Sequence, residues 1–171
     1  SSNLTKAALG LHGLVRQTFR KTARNFHYEF TLRHPSNVFQ SLLVAQAEQF
    51  ESPEKFVHLW LHEPERVYGD RLVSPEDLVK YNGLAQTQAK KLFSQFSVAK
   101  FYAAENADPL VFCHFAENIQ DKCYDQVINM NDLSHILEDA LAEYNEMNAV
   151  MDLVLFEDAM KHVCRIVRIV L

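Results

Sequence analysis

The residues around Arg33 have the types and the spacing that could bind an anion. Pro35 has a backbone φ preset near about −65° and no amide proton, so it predicts a helix start, with His34 before it held in extended geometry. The apolar residues that follow recur at helical spacing, namely Val38, Phe39, Leu42 and Leu43. Arg33 then lies beside a helix N-terminus, where the helix dipole disfavours a cation unless an anion also binds.

Two interpretations of Arg33 are open from the residues alone. In the first, which the local pattern favours, Arg33 is a surface side chain that pairs with Glu29. In the second, Arg33 contacts phosphate at a domain boundary, because a guanidinium donates two parallel hydrogen bonds to phosphate oxygens.

Histidine and cysteine side chains offer a second kind of chemistry, metal binding. His58 and His62 lie four residues apart on one helix face, a spacing that can hold zinc, but a third ligand is missing. The alternative is a helix face with two polar, partly exposed histidines. Cys113, His114 and Cys123 form a weaker set, because the sequence has no CxxC pair. We therefore predict no metal site.

A cluster of charges follows the histidines. It consists of Glu63, Glu65, Arg66, Asp70 and Arg71. The spacing predicts a solvated helix face with an Arg66–Asp70 pair. Arg71 is the exception, because it can reach a carboxylate on a neighbouring helix.

The sequence lacks the motifs of several large enzyme classes, since GxxxxGK[ST], GxGxxG, GxSxG and HExxH are all absent. A net charge of −5 gives no electrostatic reason to expect nucleic-acid binding. No apolar run reaches the roughly 18 residues that span a bilayer. The 3 cysteines are an odd number without close pairing, which argues against a disulfide framework.

The elements that position these residues are predicted to be mainly helical, because 4 glycines and 5 prolines leave few turns. Residues 26–30 alternate as a short extended segment. Pro64 predicts a kink or break near residues 61–63. The candidate helix N-caps are Asn3, Ser52, Ser74, and Asn131 or Asp132.

Residues 109–115 are rich in β-formers and predict a strand, with residues 127–128 as an antiparallel partner. The fold class is therefore mainly α: a helical bundle of four or five helices over residues 1–105, then a small β-hairpin and two helices over residues 106–171. The missing initiator Met and the apolar end of the sequence predict a piece of a longer polypeptide.

Three long strings, in this order, closely resemble the dynein heavy chain family, and its axonemal branch most. They are FHYEFTLRHPSNVFQSLL, LWLHEPERVYGDRLV and LVLFEDAMKHVCRIVRIV. Residues 1–105 look like the helical lid of the third AAA+ module, and residues 106–171 like the connector and the first part of the fourth. Pro35 and Pro64 depart from the family, which more often has another residue there.

The resemblance implies roles for two sites. Arg33 sits where the lid's second-sensor arginine belongs, which contacts the phosphates of bound nucleotide. Leu153, Val154, Leu155 and Phe156 correspond to a segment that lines the adenine pocket of the next module. Simple core packing is the alternative for each of these four side chains.

The resemblance also implies a context: an ATP-driven, minus-end-directed microtubule motor of the cytoskeleton, in the cytoplasm and in the axoneme of cilia and flagella. The implied cofactors are ATP or ADP with Mg²⁺ in the intact motor, and none in this chain alone, which lacks Walker motifs and should not hydrolyse ATP. The implied partners are the rest of the AAA+ ring, microtubules, and dynein intermediate and light chains, with no nucleic acid and no membrane.

Two other functions stay open. One is a helical adaptor that binds protein partners and no nucleotide. A phosphate-binding loop soon after Leu171 would support the motor, and its absence would support the adaptor. The other is a metal-dependent helical enzyme that uses His58 and His62.

Overall fold

A computed structural model of the chain describes residues 2–46, 48–103, 105–120 and 122–171. The chain divides into two compact units, Ser1–Ala107 and Asp108–Leu171, which we call unit 1 and unit 2. The assignment of these units to particular AAA+ modules stays a prediction.

The regular elements among the described residues of unit 1 are all helices. They are α1 (Ser2–Thr18), α2 (Arg33–Leu42), α3 (Pro53–Tyr68) and α4 (Pro75–Leu92), with 3₁₀ turns at Gly69–Arg71 and Ala99–Tyr102. Helix α1 packs against α4 and α2, and α2 also packs against α3. The largest side chains that this packing removes from solvent are Trp60, Tyr68, Tyr81, Leu11, Leu59 and Leu61.

The predicted N-caps are correct for α3 and α4, but not for α1 or the first helix of unit 2. Helix α2 begins at Arg33, so His34 is helical rather than extended. Ser52 and Ser74 are the N-caps of α3 and α4, each followed by a proline in the first turn. Helix α1 begins at Ser2, so Asn3 lies inside it. The N-cap of the first helix of unit 2 is Asn129, whose side chain accepts a hydrogen bond from the amide of Asn131.

The break predicted near residues 61–63 does not occur, because α3 continues through Pro64 to Tyr68. A proline inside a helix costs about 3 kcal/mol in isolation. Here α3 is buried without interruption over residues 57–64, so tertiary packing offsets that cost.

The segment before α2 is irregular rather than a strand. Tyr28 and Phe30 are buried as the alternation predicts, but Phe26 is 69% exposed. The hydroxyl of Tyr28 donates a hydrogen bond to Asp77 Oδ2 at 2.9 Å and accepts one from the Val73 amide at 3.2 Å. The segment is thus held by a side-chain contact with the start of α4 and not by a β-ladder.

Unit 2 contains the predicted hairpin in a shorter form. Strands β1 (Phe112–Cys113) and β2 (Asp125–Gln126) pair antiparallel. The partner strand thus precedes the predicted residues 127–128, although the Val127 amide extends the ladder to the Val111 carbonyl at 2.9 Å.

Helices α5 (Met130–Met147) and α6 (Glu157–Val170) follow the hairpin. Helix α6 packs against β1 and α5. The core of unit 2 comprises Val111, Cys113, Phe115, Val127, Leu133, Leu137, Met160 and Cys164. The mainly α class with a small hairpin is confirmed. Among the residues described, none of the helices is both long and apolar enough to cross a bilayer.

Candidate functional site

Arg33 is the first residue of α2 and its side chain is exposed. The first turn of α2 contains no acidic residue, and the N-cap residue Leu32 provides no side-chain hydrogen bond. Within the described part of the chain, no hydrogen bond or ion pair ties down the guanidinium of Arg33. A cation and the positive end of a helix dipole therefore face solvent together, without a local carboxylate to balance them.

The alternative partner of Arg33 is engaged elsewhere. The carboxylate of Glu29 lies 3.5 Å from Lys21 Nζ, in an exposed ion pair. The structure thus does not show the Arg33–Glu29 pair that the local pattern favoured.

The residue after Arg33 is turned inward and closes the turn that precedes the helix. His34 is 8% exposed. Its Nδ1 lies 3.0 Å from the amide nitrogen of Thr31 and 3.1 Å from the carbonyl oxygen of the same residue. The Thr31 carbonyl already accepts from the His34 amide at 3.1 Å, whereas the Thr31 amide needs an acceptor. An unprotonated Nδ1 that accepts from Thr31 satisfies both groups.

Aromatic rings fix the position of the His34 imidazole. The ring stacks on Tyr68 with centroids 5.8 Å apart and planes at 21°, and it meets Phe30 edge-on at 5.5 Å. The Tyr68 hydroxyl in turn lies 3.1 Å from Nδ1 of His12 on α1. The start of α2 is thereby held against both α1 and α3.

The surroundings of both histidines favour neutral rings. Burial has the largest effect and lowers the pKa of His34. A hydrogen bond with the Thr31 backbone raises that pKa by less, and the nearby Arg71 and Arg33 lower it by smaller amounts. Burial, Arg16 and His34 lower the pKa of His12. Burial raises the pKa of Tyr68, so its hydroxyl stays protonated.

The charge cluster after the histidines is not a solvated face throughout, which corrects the sequence-based prediction. The Glu63 side chain is 0% exposed and pairs with Arg66 Nε at 3.0 Å. Arg66 also donates to the Ser41 hydroxyl at 2.6 Å, which ties α3 to α2. Arg66 thus makes the interhelical contact that was assigned to Arg71, which is exposed. The i,i+3 spacing of Glu63 and Arg66 is visible in the sequence, but the burial of Glu63 is not, because the packing of α3 decides it.

Residues 153–156 lie before α6, outside any helix or strand, and differ in exposure. Leu153 and Leu155 line a cavity of about 260 Å³ against α5. Val154 and Phe156 point to solvent and are 74% and 60% exposed. Phe156 is also the N-cap residue of α6. Leu153 is also 46% exposed, so only Leu155 of the four residues proposed for one pocket is partly buried.

The histidine pair on α3 is more buried than predicted. His58 and His62 are both buried rather than partly exposed. The ring of His58 meets Phe101 edge-on at 4.6 Å and its Nε2 lies 3.7 Å from Glu54. Among the residues described, the structure holds no group of three side chains from His, Cys, Asp and Glu that could bind a metal.

Two of the three cysteines meet in the core of unit 2. Cys113 on β1 and Cys164 on α6 are free and buried in the same core cluster. The neighbouring Cys164 thiol and burial raise the pKa of the Cys113 thiol. Sequence spacing did not reveal this contact, because it depends on how α6 packs on the hairpin.

Comparison with known proteins identifies the family to which this chain belongs. Residues 4–101 match the AAA+ lid domain. They include Arg33, all of α2 to α4 and all but the first two residues of α1. The chain belongs to the AAA+ lid domain family. In this lid, Arg33 lies at the start of the second helix and the aromatic cluster of Tyr68, His34 and Phe30 lies beneath it.

The similarity to axonemal dynein heavy chains extends beyond the lid over 99% of the chain. The chain is 59% identical to the dynein alpha chain of the flagellar outer arm from Chlamydomonas reinhardtii. It is 47% identical to dynein axonemal heavy chain 17 from Homo sapiens, and 47% identical to the ciliary dynein beta chain from Tripneustes gratilla. The resemblance inferred from the three strings is thus confirmed. The chain spans 4% of the length of each of these relatives.

Proposed function

We propose that this chain is the helical lid of the third AAA+ module of an axonemal dynein heavy chain, together with the segment that leads into the fourth module. The lid family covers residues 4–101, and the similarity to dynein heavy chains runs through both units. In this proposal, unit 1 closes over the nucleotide of one module, and unit 2 links that module to the next.

The observation that carries the proposal is the state of Arg33. Its guanidinium is exposed at the first residue of α2, in a first turn without acidic residues. An anion bound there gains from the fixed charge of the guanidinium and from the helix dipole. Nucleotide phosphates, held by a large subdomain of the same module, are that anion. A planar guanidinium suits the role because it remains charged and donates two parallel hydrogen bonds to phosphate oxygens.

The function that follows is a response to nucleotide state. Lid and large subdomain close when Arg33 contacts phosphate and separate when the phosphate leaves, which is a hinge closure around a ligand. Arg33 thereby acts in the coupling between nucleotide and motion.

The exposed pair Val154 and Phe156 supports a second role, in the adenine pocket of the next module. A flat base buries its faces against apolar side chains, and these two present such a surface before α6. Leu155, which packs against the core of unit 2, holds the strip in place from behind.

The whole protein in this proposal is an ATP-driven, minus-end-directed microtubule motor. It works with ATP or ADP and Mg²⁺, in the axoneme of cilia and flagella. Its partners are the other modules of the AAA+ ring, microtubules, and dynein intermediate and light chains. The relatives named above are flagellar, axonemal and ciliary dyneins, which supports this location.

Replacement of Arg33 tests the proposal in a heavy chain that contains this segment. Arg33→Ala removes one charge-assisted contact, which is worth about 1.5–3 kcal/mol. We therefore expect the affinity for Mg²⁺-ADP at the third module to fall by about tenfold or more. Microtubule gliding should slow. The thermal stability of the lid should not change, because the side chain is exposed.

Two further variants show whether the effect depends on the guanidinium group and on the position of Arg33. Arg33→Lys keeps the charge but loses the planar fork, so an intermediate effect is expected. Arg24→Ala removes another exposed arginine of unit 1 and should leave binding and gliding unchanged. Unchanged nucleotide affinity and gliding velocity in Arg33→Ala would refute the proposal.

A further inference from the structure

His34 directly follows Arg33 and is buried between elements of unit 1. Its backbone belongs to the first turn of α2, and its side chain reaches back to the residue two positions before Arg33. The amide of Thr31 donates to Nδ1 at 3.0 Å. The His34 side chain therefore links the residues on the two sides of Arg33 into one small loop.

The bond from Thr31 requires a neutral ring with the proton on Nε2, because only a bare Nδ1 accepts. The Thr31 carbonyl, also within reach of Nδ1, already accepts from the His34 amide. A protonated ring loses the bond from the Thr31 amide and turns a donor toward the carbonyl instead. The loop before Arg33 thus has two hydrogen-bond patterns, and one proton selects between them.

We propose that His34 is the positioning residue for Arg33, and that its neutral imidazole holds the Thr31–Arg33 turn in the geometry that aims the guanidinium at phosphate. This inference rests on the proposed function of Arg33. It adds a residue that contacts no nucleotide and acts through the backbone.

Burial and the charged or titratable groups that face His34 favour the neutral ring, and together they outweigh the hydrogen bond with the Thr31 backbone, which favours the charged ring. Arg33 lies on α2 itself, Arg71 lies in the 3₁₀ turn after α3, and His12 faces it from α1. Tyr68, the ring on which His34 stacks, stays uncharged. The positioning bond is therefore intact at neutral pH and is lost as pH falls.

Two substitutions separate the hydrogen bond from the ring. His34→Asn places an amide oxygen near the position of Nδ1, so it keeps an acceptor for Thr31 but cannot titrate. His34→Phe keeps an aromatic ring on Tyr68 but has no acceptor. If His34 acts by positioning, the Asn variant retains the function of Arg33 and the Phe variant loses it.

The first measurement uses this chain and needs no nucleotide. Nitrogen-15 NMR of the imidazole at pH 7.5 should show a neutral ring with the proton on Nε2. The Thr31 amide should exchange slowly in the wild type and in His34→Asn, and rapidly in His34→Phe. A proton on Nδ1 at pH 7.5, or equal Thr31 protection in the wild type and the Phe variant, would overturn the inference. The tautomer measurement on the wild type holds even if a variant fails to fold.

The second measurement uses the heavy chain, with Mg²⁺-ADP as the probe of the third module. His34→Phe should weaken binding by about tenfold, as expected for losing one charge-assisted contact, and His34→Asn should bind like the wild type at pH 7.5. Between pH 7.5 and 5.5 wild-type binding should weaken more than binding by His34→Asn.

The two proposals fail differently. If Arg33→Ala does not weaken nucleotide binding, the proposed contact of Arg33 with phosphate is wrong. The proposed role of His34 in nucleotide binding is then also wrong, even if NMR confirms the hydrogen bond in the turn. If Arg33→Ala weakens binding and His34→Phe does not, only the positioning role is wrong.

Discussion

Single residues in unit 1 differ in function according to whether their charge is paired. Arg33 belongs to helix α2, and Arg66 belongs to helix α3. Arg33 is exposed, in a helix turn without acidic residues, whereas Arg66 pairs with the buried Glu63 and donates to Ser41. The first suits an external anion, and the second holds two helices together.

Arg66→Ala should destabilise unit 1 by about 3 kcal/mol. Loss of one member of a buried ion pair leaves the other charge without that compensation, which costs about 3–5 kcal/mol, and Arg66 is only partly buried. Urea unfolding measures the difference. Arg71→Ala is the matched control and should change stability by less than about 0.5 kcal/mol, since Arg71 is exposed. Equal effects of the two substitutions would contradict this account of the pair.

At the scale of elements, two helices start with the same residue pair and use it differently. Both α3 and α4 begin with a serine N-cap followed by proline. Only the Ser74 hydroxyl accepts a hydrogen bond, from the Asp77 amide at 3.1 Å. The Ser52 hydroxyl makes no such cap bond. Sequence signals therefore place both helix starts correctly, while the energy of the cap depends on local geometry.

Ser74→Ala should cost about 1 kcal/mol of stability, the usual value of a lost N-cap hydrogen bond. Ser52→Ala should cost only a few tenths, since no side-chain bond is lost there. Thermal unfolding of the two variants in parallel gives the comparison. A larger loss for Ser52→Ala would mean that its hydroxyl, and not that of Ser74, caps a helix in solution.

At the scale of the whole molecule, buried histidines link stability to pH. His12 and His34 both have a pKa below the ordinary value of 6.5 in the folded chain. The unfolded chain then binds more protons, so the free energy of unfolding rises with pH in this range. The contribution of the two rings is complete above pH 6.5 and is lost as pH falls through their lowered folded values.

Stability measured by urea unfolding should therefore decrease from pH 7.5 to 5.5. The variant with both His12→Asn and His34→Asn has neither titrating ring, and its stability should depend less on pH over this interval. His135 is exposed on α5, so His135→Asn is the matched control and should leave the slope of the wild type unchanged. A slope that persists in the double variant would assign the effect to other groups.

The sequence by itself determined the helical class, the starts of α3 and α4, the presence of a hairpin and the position of Arg33 at the beginning of a helix. These follow from local rules, because proline, serine caps and apolar periodicity act over a few residues. The long strings also carried the family resemblance, which residue chemistry alone did not supply.

Only the tertiary structure decided which polar side chains are buried and what they contact. Burial of Glu63 and His34, the contact of Cys113 with Cys164, and the continuity of α3 through Pro64 depend on elements far apart in the chain. Hydrophobic periodicity states which face of a helix is apolar, but not which polar group packing encloses beside it. The physical reason is that the cost of burying a polar or charged group is set by the partners it finds, and folding brings those partners from other elements.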